Sequence, residues 1–196
     1  YSAPDLWALL DRMPRTNWPT FIRGDCDWGS DTIRTEAEQR GIDYLFKLRK
    51  SPYVKKLILQ QHCKPGWEKT HTGGEALSTK LKLSTWKQPR RVVLVRRRLQ
   101  DNIVIAPDSD KALPHQLSLL EPAEDMAAFE YSVLVTSLAS EVVTIVQHYR
   151  DRADCENNFD EIKNQWGWGG FVTQKIKPCR FIARIIALIY NWWSLF

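Results

Sequence analysis

Between Tyr149 and Lys163 four functional side chains recur at fixed helical intervals: Tyr149, Arg152, Glu156 and Lys163. A helix turns about 100° per residue, so positions four apart are neighbours and positions seven apart nearly eclipse. On one helix the four would share a face within roughly 60° of arc. That face carries a carboxylate flanked by an aromatic hydroxyl, a guanidinium and an ammonium. A carboxylate can hold a divalent cation, and Arg, Lys and Tyr can hold the phosphates on which it acts. The alternative is a solvated helix face with an ordinary Arg–Glu pair, and the spacing alone leaves both open. Asp154 lies off this face and Glu161 points further away, so Glu156 is the candidate acid.

The rest of the chain has the rhythm of an α/β protein. Pro4 and Asp5 open a helix that Ser2 caps and Pro14 closes. The stretch from Thr20 to Arg23 reads as a strand that delivers Asp25 at its carboxyl end, where ligands gather in open α/β sheets. Asp27 and Asp31 compete with Asp25 for that role, and an Asx turn is the plain alternative for an Asp after a strand. A helix from about Gly29 to Arg40 is closed by Gly41, and Ile42 to Leu48 alternates as a strand with Tyr44, Phe46 and Leu48 on one face.

The pattern then becomes turn-rich and strand-like, with a short helical stretch at Leu57 to Cys63. Leu77 to Thr85 alternates, and Arg91 to Val95 and Phe129 to Thr136 read as strands. The reading is therefore three stretches: 1–50 with Asp25, a β-rich insertion over 51–140, and a helical 141–196. In the last, a single helix from Ser140 or Glu141 carries Glu156, and a final helix runs from about Pro178 to Phe196.

Twenty-eight Lys and Arg against 23 Asp and Glu give a formal charge of +5, which favours an anionic partner. Within the insertion, Arg96 and Arg98 stand among Arg90, Arg91 and Arg97 around an apolar strand. They read either as phosphate contacts or as a basic edge that resists aggregation. Trp67 and Trp86 beside turns read as packing or as a platform for a flipped base. His148 reads as packing rather than as a general base. Cys26, Cys63, Cys155 and Cys179 form no CxxC pair, which argues against structural zinc and for free thiols in a reducing cytosol. The N-terminus lacks the basic-then-apolar pattern of a secretion signal. The stretch from Phe181 to Phe196 is too short and interrupted to span a bilayer.

The spacing of Tyr149, Arg152, Glu156 and Lys163 resembles the YREK signature of bacterial insertion-sequence transposases, members of the DDE group in the insertion-sequence-4 superfamily. The segment Phe21 to Trp28 resembles the same family's strand ending in Arg-x-Asp followed by an aromatic. The resemblance implies a partial ribonuclease-H-like core interrupted by a β insertion, with an all-helical C-terminus. It implies that Asp25 and Glu156 are catalytic carboxylates that hold Mg²⁺ or Mn²⁺. Tyr149, Arg152 and Lys163 would contact transposon-end DNA, joined by Arg96, Arg98 and Trp86 from the insertion.

The implied activity is cut-and-paste transposition by metal-dependent phosphoryl transfer. Its partners would be double-stranded terminal repeats and target DNA, and a homodimer would form when the ends are synapsed. The implied location is a bacterial cytoplasm at the nucleoid, without membrane. In that family a first catalytic Asp lies on an earlier strand than any in this sequence. The expectation is therefore a portion of the catalytic domain that is inactive alone and poorly soluble at its open sheet edge. Two other readings remain: a remnant that binds DNA without cutting it, and a ribonuclease-H-like nuclease unrelated to transposition.

Overall fold

A computed structural model describes residues 3–99 and 128–195. The chain forms two compact units, residues 1–149 and residues 150–196. Helix α1, Ala3–Asp11, opens the first unit, and the turn beyond it reaches Met13 through a 3.0 Å bond from the Met13 N–H to the Leu10 carbonyl. The proposed Ser2 cap lies outside the described residues.

Strand β1, Phe21–Gly24, and strand β2, Asp43–Lys47, pair in parallel with Phe21 opposite Asp43. Parallel strands need a crossover, and helix α2, Asp31–Arg40, supplies it. Its ends are written in the sequence. The Ser30 hydroxyl accepts from the Ile33 N–H, and Gly41 takes φ 67° to return two orphan carbonyls a donor.

Helix α3, Pro52–His62, follows. Strands β3 (Glu68–Lys69), β4 (Glu75–Leu81), β5 (Arg90–Arg98) and β6 (Phe129–Thr136) come next in the described chain. They join β1 and β2 in one six-stranded sheet of order β1-β2-β6-β5-β4-β3. Among the described residues only β1–β2 is parallel. The strands of the 51–140 stretch thus extend the sheet that carries Asp25.

Period-two alternation sends side chains of one strand to two cores. Tyr44, Phe46, Val92, Leu94, Val133 and Val135 face the larger one, with Ile33 and Ala37 of α2 and Val54, Leu57 and Ile58 of α3. Leu45, Val93 and Leu134 face the smaller, covered by Val142 and Ile145 of helix α4, Val142–Arg150. β2 is therefore buried on both faces, and Tyr44, Phe46 and Leu48 do share one.

The single helix expected from Ser140 through Lys163 is instead two. α4 ends at Arg150, and α5, Arg152–Asn164, begins after Asp151. Asp151 keeps a helical φ of −61°, but its ψ of −7° lies far from the −42° of a helix, so the backbone ladder lapses there.

In the second unit α5 packs with helix α6, Ile176–Trp193. The Tyr190 hydroxyl reaches Asn158 Oδ1 at 3.2 Å and Glu161 Oε2 at 3.1 Å. Trp166 meets the rings of Tyr190 and Trp193, Phe159 stacks with Trp168, and Trp168 Nε1 donates to the Ala183 carbonyl at 3.1 Å. Gly167, at φ 72°, makes the turn that lets both indoles fold back.

Candidate active site

Asp25 is the first residue past β1, half-buried, and the parallel β1–β2 pair presents it at a strand's carboxyl end. A turn follows, closed by the Trp28 N–H on the Asp25 carbonyl at 3.3 Å. Gly24 is required there. A Cβ on it would stand 2.8 Å from Trp28 Cβ and Cγ, because the indole folds back over the strand end. The Asx turn is also present: Asp25 Oδ1 accepts from the Asp27 N–H at 3.0 Å. Asp25 Oδ2 has no hydrogen-bond partner among the described residues. Asp27 is exposed and pairs with Arg49. Beside the turn lies a cleft of about 370 Å³ lined by Cys26, Asp27, Gly29, Arg49 and Trp86.

Arg23, two residues before Asp25, points away from the turn, and its Nη1 donates to the His148 carbonyl at 2.7 Å. The Phe21 and His148 rings lie 5.4 Å apart. His148 is thus a packing residue of α4, and Tyr149 packs against the smaller core.

Arg152, Glu156 and Lys163 belong to α5 in the second unit. Glu156 is 57 % exposed at its side chain, and its Oε1 accepts from Arg152 Nη1 at 2.6 Å. The i, i+4 pair expected as the ordinary alternative is therefore formed. Lys163, in the last turn of α5, is exposed and complements the helix dipole. The break at Asp151 leaves Tyr149 on a different helix from the other three signature residues.

The basic residues of β5 divide by direction. Arg90 is buried: its guanidinium binds Glu38 Oε1 at 2.7 Å and Oε2 at 3.0 Å, and Asp31 Oδ1 at 2.5 Å. Tyr44 and Gln88 also donate to Glu38, at 2.8 and 3.1 Å. Burial opposes the Glu38 charge, but the bonds from Arg90, Tyr44 and Gln88 prevail and hold its carboxyl below the usual range. Burial and the bond to Glu38 push the Tyr44 hydroxyl well above its ordinary value. Arg91 is turned inward, to Ser78 Oγ and the carbonyls of Leu138 and Ser140.

Arg96, a candidate DNA contact, is also turned inward. It pairs with Glu75 at 2.7 Å, donates to the His62 carbonyl at 2.9 Å, and lies 4.0 Å over the Trp67 ring. Its charge is met by Glu75 and its planar face is stacked. Arg97 and Arg98 are exposed. Arg98 lines a cleft of about 410 Å³ with Lys69, Gly73, Gly74 and Phe129.

Trp86, read from the sequence as packing or as a base platform, packs. It is 5 % exposed within the larger core, with the Arg34 and Arg90 guanidiniums 4.3 and 5.6 Å from its ring centre. An indole so enclosed serves packing and cation–π contact. Sequence reasoning missed the Arg90–Glu38–Asp31 cluster. The alternation of β5 places Arg90 on the face of Val92 and Leu94, which was the available signal.

The chain matches the transposase DDE domain family over residues 2–192 and belongs to it. Comparison with curated proteins finds no match. The mixed six-stranded sheet with its helices agrees with a ribonuclease-H-like transposase domain. Membership implies a DNA substrate and strand-transfer chemistry of the kind for which such domains typically use a divalent metal. Among the described residues no three His, Cys, Asp or Glu side chains cluster as a metal site. No described helix is long and apolar enough to cross a membrane.

Proposed function

We propose that this chain acts in cut-and-paste DNA transposition, as a YREK-type member of its family, with Asp25 and Glu156 as acids of the phosphoryl-transfer site. The observation that supports this most is the position of Asp25: at the carboxyl end of β1, with no partner on Oδ2 among the described residues, on a turn shaped by Gly24 and Trp28. A bound Mg²⁺ or Mn²⁺ would supply activation of water or of a 3′ hydroxyl. The chain's own part is positional. Asp25 and Glu156 would each hold one metal contact. Arg152 would exchange its pairing with Glu156 for a phosphate, and Lys163 would add a point charge from the same helix. Tyr149 would orient the backbone through its hydroxyl. Arg98, exposed on β5, would meet flanking DNA. Two protomers would act on two terminal repeats.

The test is strand cleavage of a duplex carrying the element's terminal repeat, in Mg²⁺ or Mn²⁺, by wild type, Asp25→Asn and Glu156→Gln. Loss in both variants with duplex binding retained is expected, and undiminished cutting by either variant would remove that residue from the site. A second reading, a basic DNA-binding protein that does not cut, draws support from the Arg152–Glu156 pair, which already engages the acid. It predicts salt-sensitive duplex binding and no metal-dependent product even from wild type.

A further inference from the structure

The turn that carries Asp25 is closed by bonds within it. The Asp27 N–H donates to Asp25 Oδ1 at 3.0 Å, the Trp28 N–H to the Asp25 carbonyl at 3.3 Å, and the Gly29 N–H to the Cys26 carbonyl at 3.4 Å. The last two are long for amide hydrogen bonds, so the turn gains from a hold outside it. Arg34 supplies one. Its own N–H closes onto the Ser30 carbonyl at 3.3 Å, and its Nη1 donates to the Gly29 carbonyl. The same guanidinium lies 4.3 Å from the centre of the Trp86 ring and 3.5 Å from Asp31 Oδ1. Gly29 also lies close against β2, where a Cβ on it would stand 2.9 Å from the Lys47 carbonyl oxygen. The far end of the Asp25 turn is thus fixed by α2 on one side and by β2 on the other.

Stability does not account for a cation at this position. Arg34 stands in the first turn of α2, where the helix dipole disfavours positive charge. It is 1 % exposed, and its Nε has no partner among the described residues. Burial and the neighbouring Arg90 push its guanidinium below the ordinary value, and Asp31 offsets this only in part. An apolar side chain of similar volume would fill the space without those costs. It could not donate to the Gly29 carbonyl.

We propose that Arg34 is a positioning residue for Asp25. Its guanidinium holds the Gly29 carbonyl, so that the turn keeps its shape and the carboxylate its direction off the end of β1. The use of that direction in phosphoryl transfer rests on the transposase reading; the hold on the turn does not.

Amide exchange of the 196-residue chain tests the hold without an activity assay. The Asp27 amide reports the bond to the Asp25 carboxylate, and the Trp28 amide reports closure of the turn. Arg34→Met keeps the bulk and removes the donor. It should speed exchange at both amides at least ~10-fold and leave the buried Leu94 and Val133 unchanged. Arg34→Lys, which keeps a donor, should return both rates toward wild type. Unchanged Asp27 and Trp28 rates in a folded Arg34→Met, or equal acceleration at Leu94 and Val133, would overturn the proposal. So would wild-type Asp27 and Trp28 amides that exchange as fast as an unstructured chain, even if Arg34→Met failed to fold. Mn²⁺-dependent cutting of a terminal-repeat duplex should fall at least ~10-fold in Arg34→Met, with duplex binding retained, and recover in Arg34→Lys. Faster exchange with undiminished cutting would instead remove Asp25 from the reaction and leave the hold on its turn standing.

Discussion

The two compact units hold their candidate acids by opposite means. In the first, Asp25 follows a strand whose neighbour β2 is buried on both faces, and backbone bonds of the turn set its direction. In the second, Glu156 projects from a helix, more than half exposed, and pairs with Arg152 one turn away. Buried apolar positions are numerous in the first unit and few in the second, where Ile162 and Tyr190 are covered while Phe181, Leu188, Trp192 and Trp193 remain largely exposed. Rigid placement thus comes from the sheet, and adaptable placement from the helix.

The largest effect expected is on the sheet side. Trp86→Ala should cost about 3–5 kcal/mol, because it empties the larger core beneath two guanidiniums. Urea unfolding measures it, and a loss under about 1 kcal/mol would mean the indole is not the core element described.

Gly24→Ala should cost about 1–3 kcal/mol by forcing the Trp28 ring off the strand end. Its indole fluorescence should shift as the ring becomes exposed. An unperturbed spectrum with unchanged stability would contradict the close approach.

Acid should act next. Glu38 titrates below its ordinary 4.5 in the folded chain. Its contribution is therefore complete above that value and is lost as pH falls through the folded pKa. The urea midpoint should fall on going from about pH 6 to about pH 3, and Glu38→Gln should flatten that slope. A midpoint that rises in acid would reverse the sign and sink the assignment.

The smallest effect belongs to the helix. Glu156→Gln should change stability by no more than about 0.5 kcal/mol, since an exposed i, i+4 pair is weak. Differential unfolding would check this, and a larger loss would show that Glu156 is structural rather than available for chemistry.

What the sequence disclosed follows from the reach of its signals. Strand β6 spans the same residues, Phe129 to Thr136, that alternation indicates, and Gly41 closes α2 as a left-handed cap. These are local rules, read within a few residues. Asp25 at a strand end was legible for the same reason. The break at Asp151 was not, because neither Pro nor Gly marks it in the sequence. The partners of Arg96 and Trp86 were hidden similarly. A basic residue or an indole near a turn carries no mark of whether Glu75 or Arg34 will meet it in the fold.

The sheet order has a consequence for how the chain is made. β2 lies between β1, which precedes it closely, and β6, whose Thr136 pairs with Leu45 across 136 − 45 = 91 positions. A ribosome adding about 5–20 residues each second needs roughly 5–18 s to cover that interval. Throughout it, the nascent chain carries an apolar ribbon of Tyr44, Leu45 and Phe46 with one side unpaired. During those seconds that edge stands open to pairing with another chain, and a product that stops before Thr136 would keep it open.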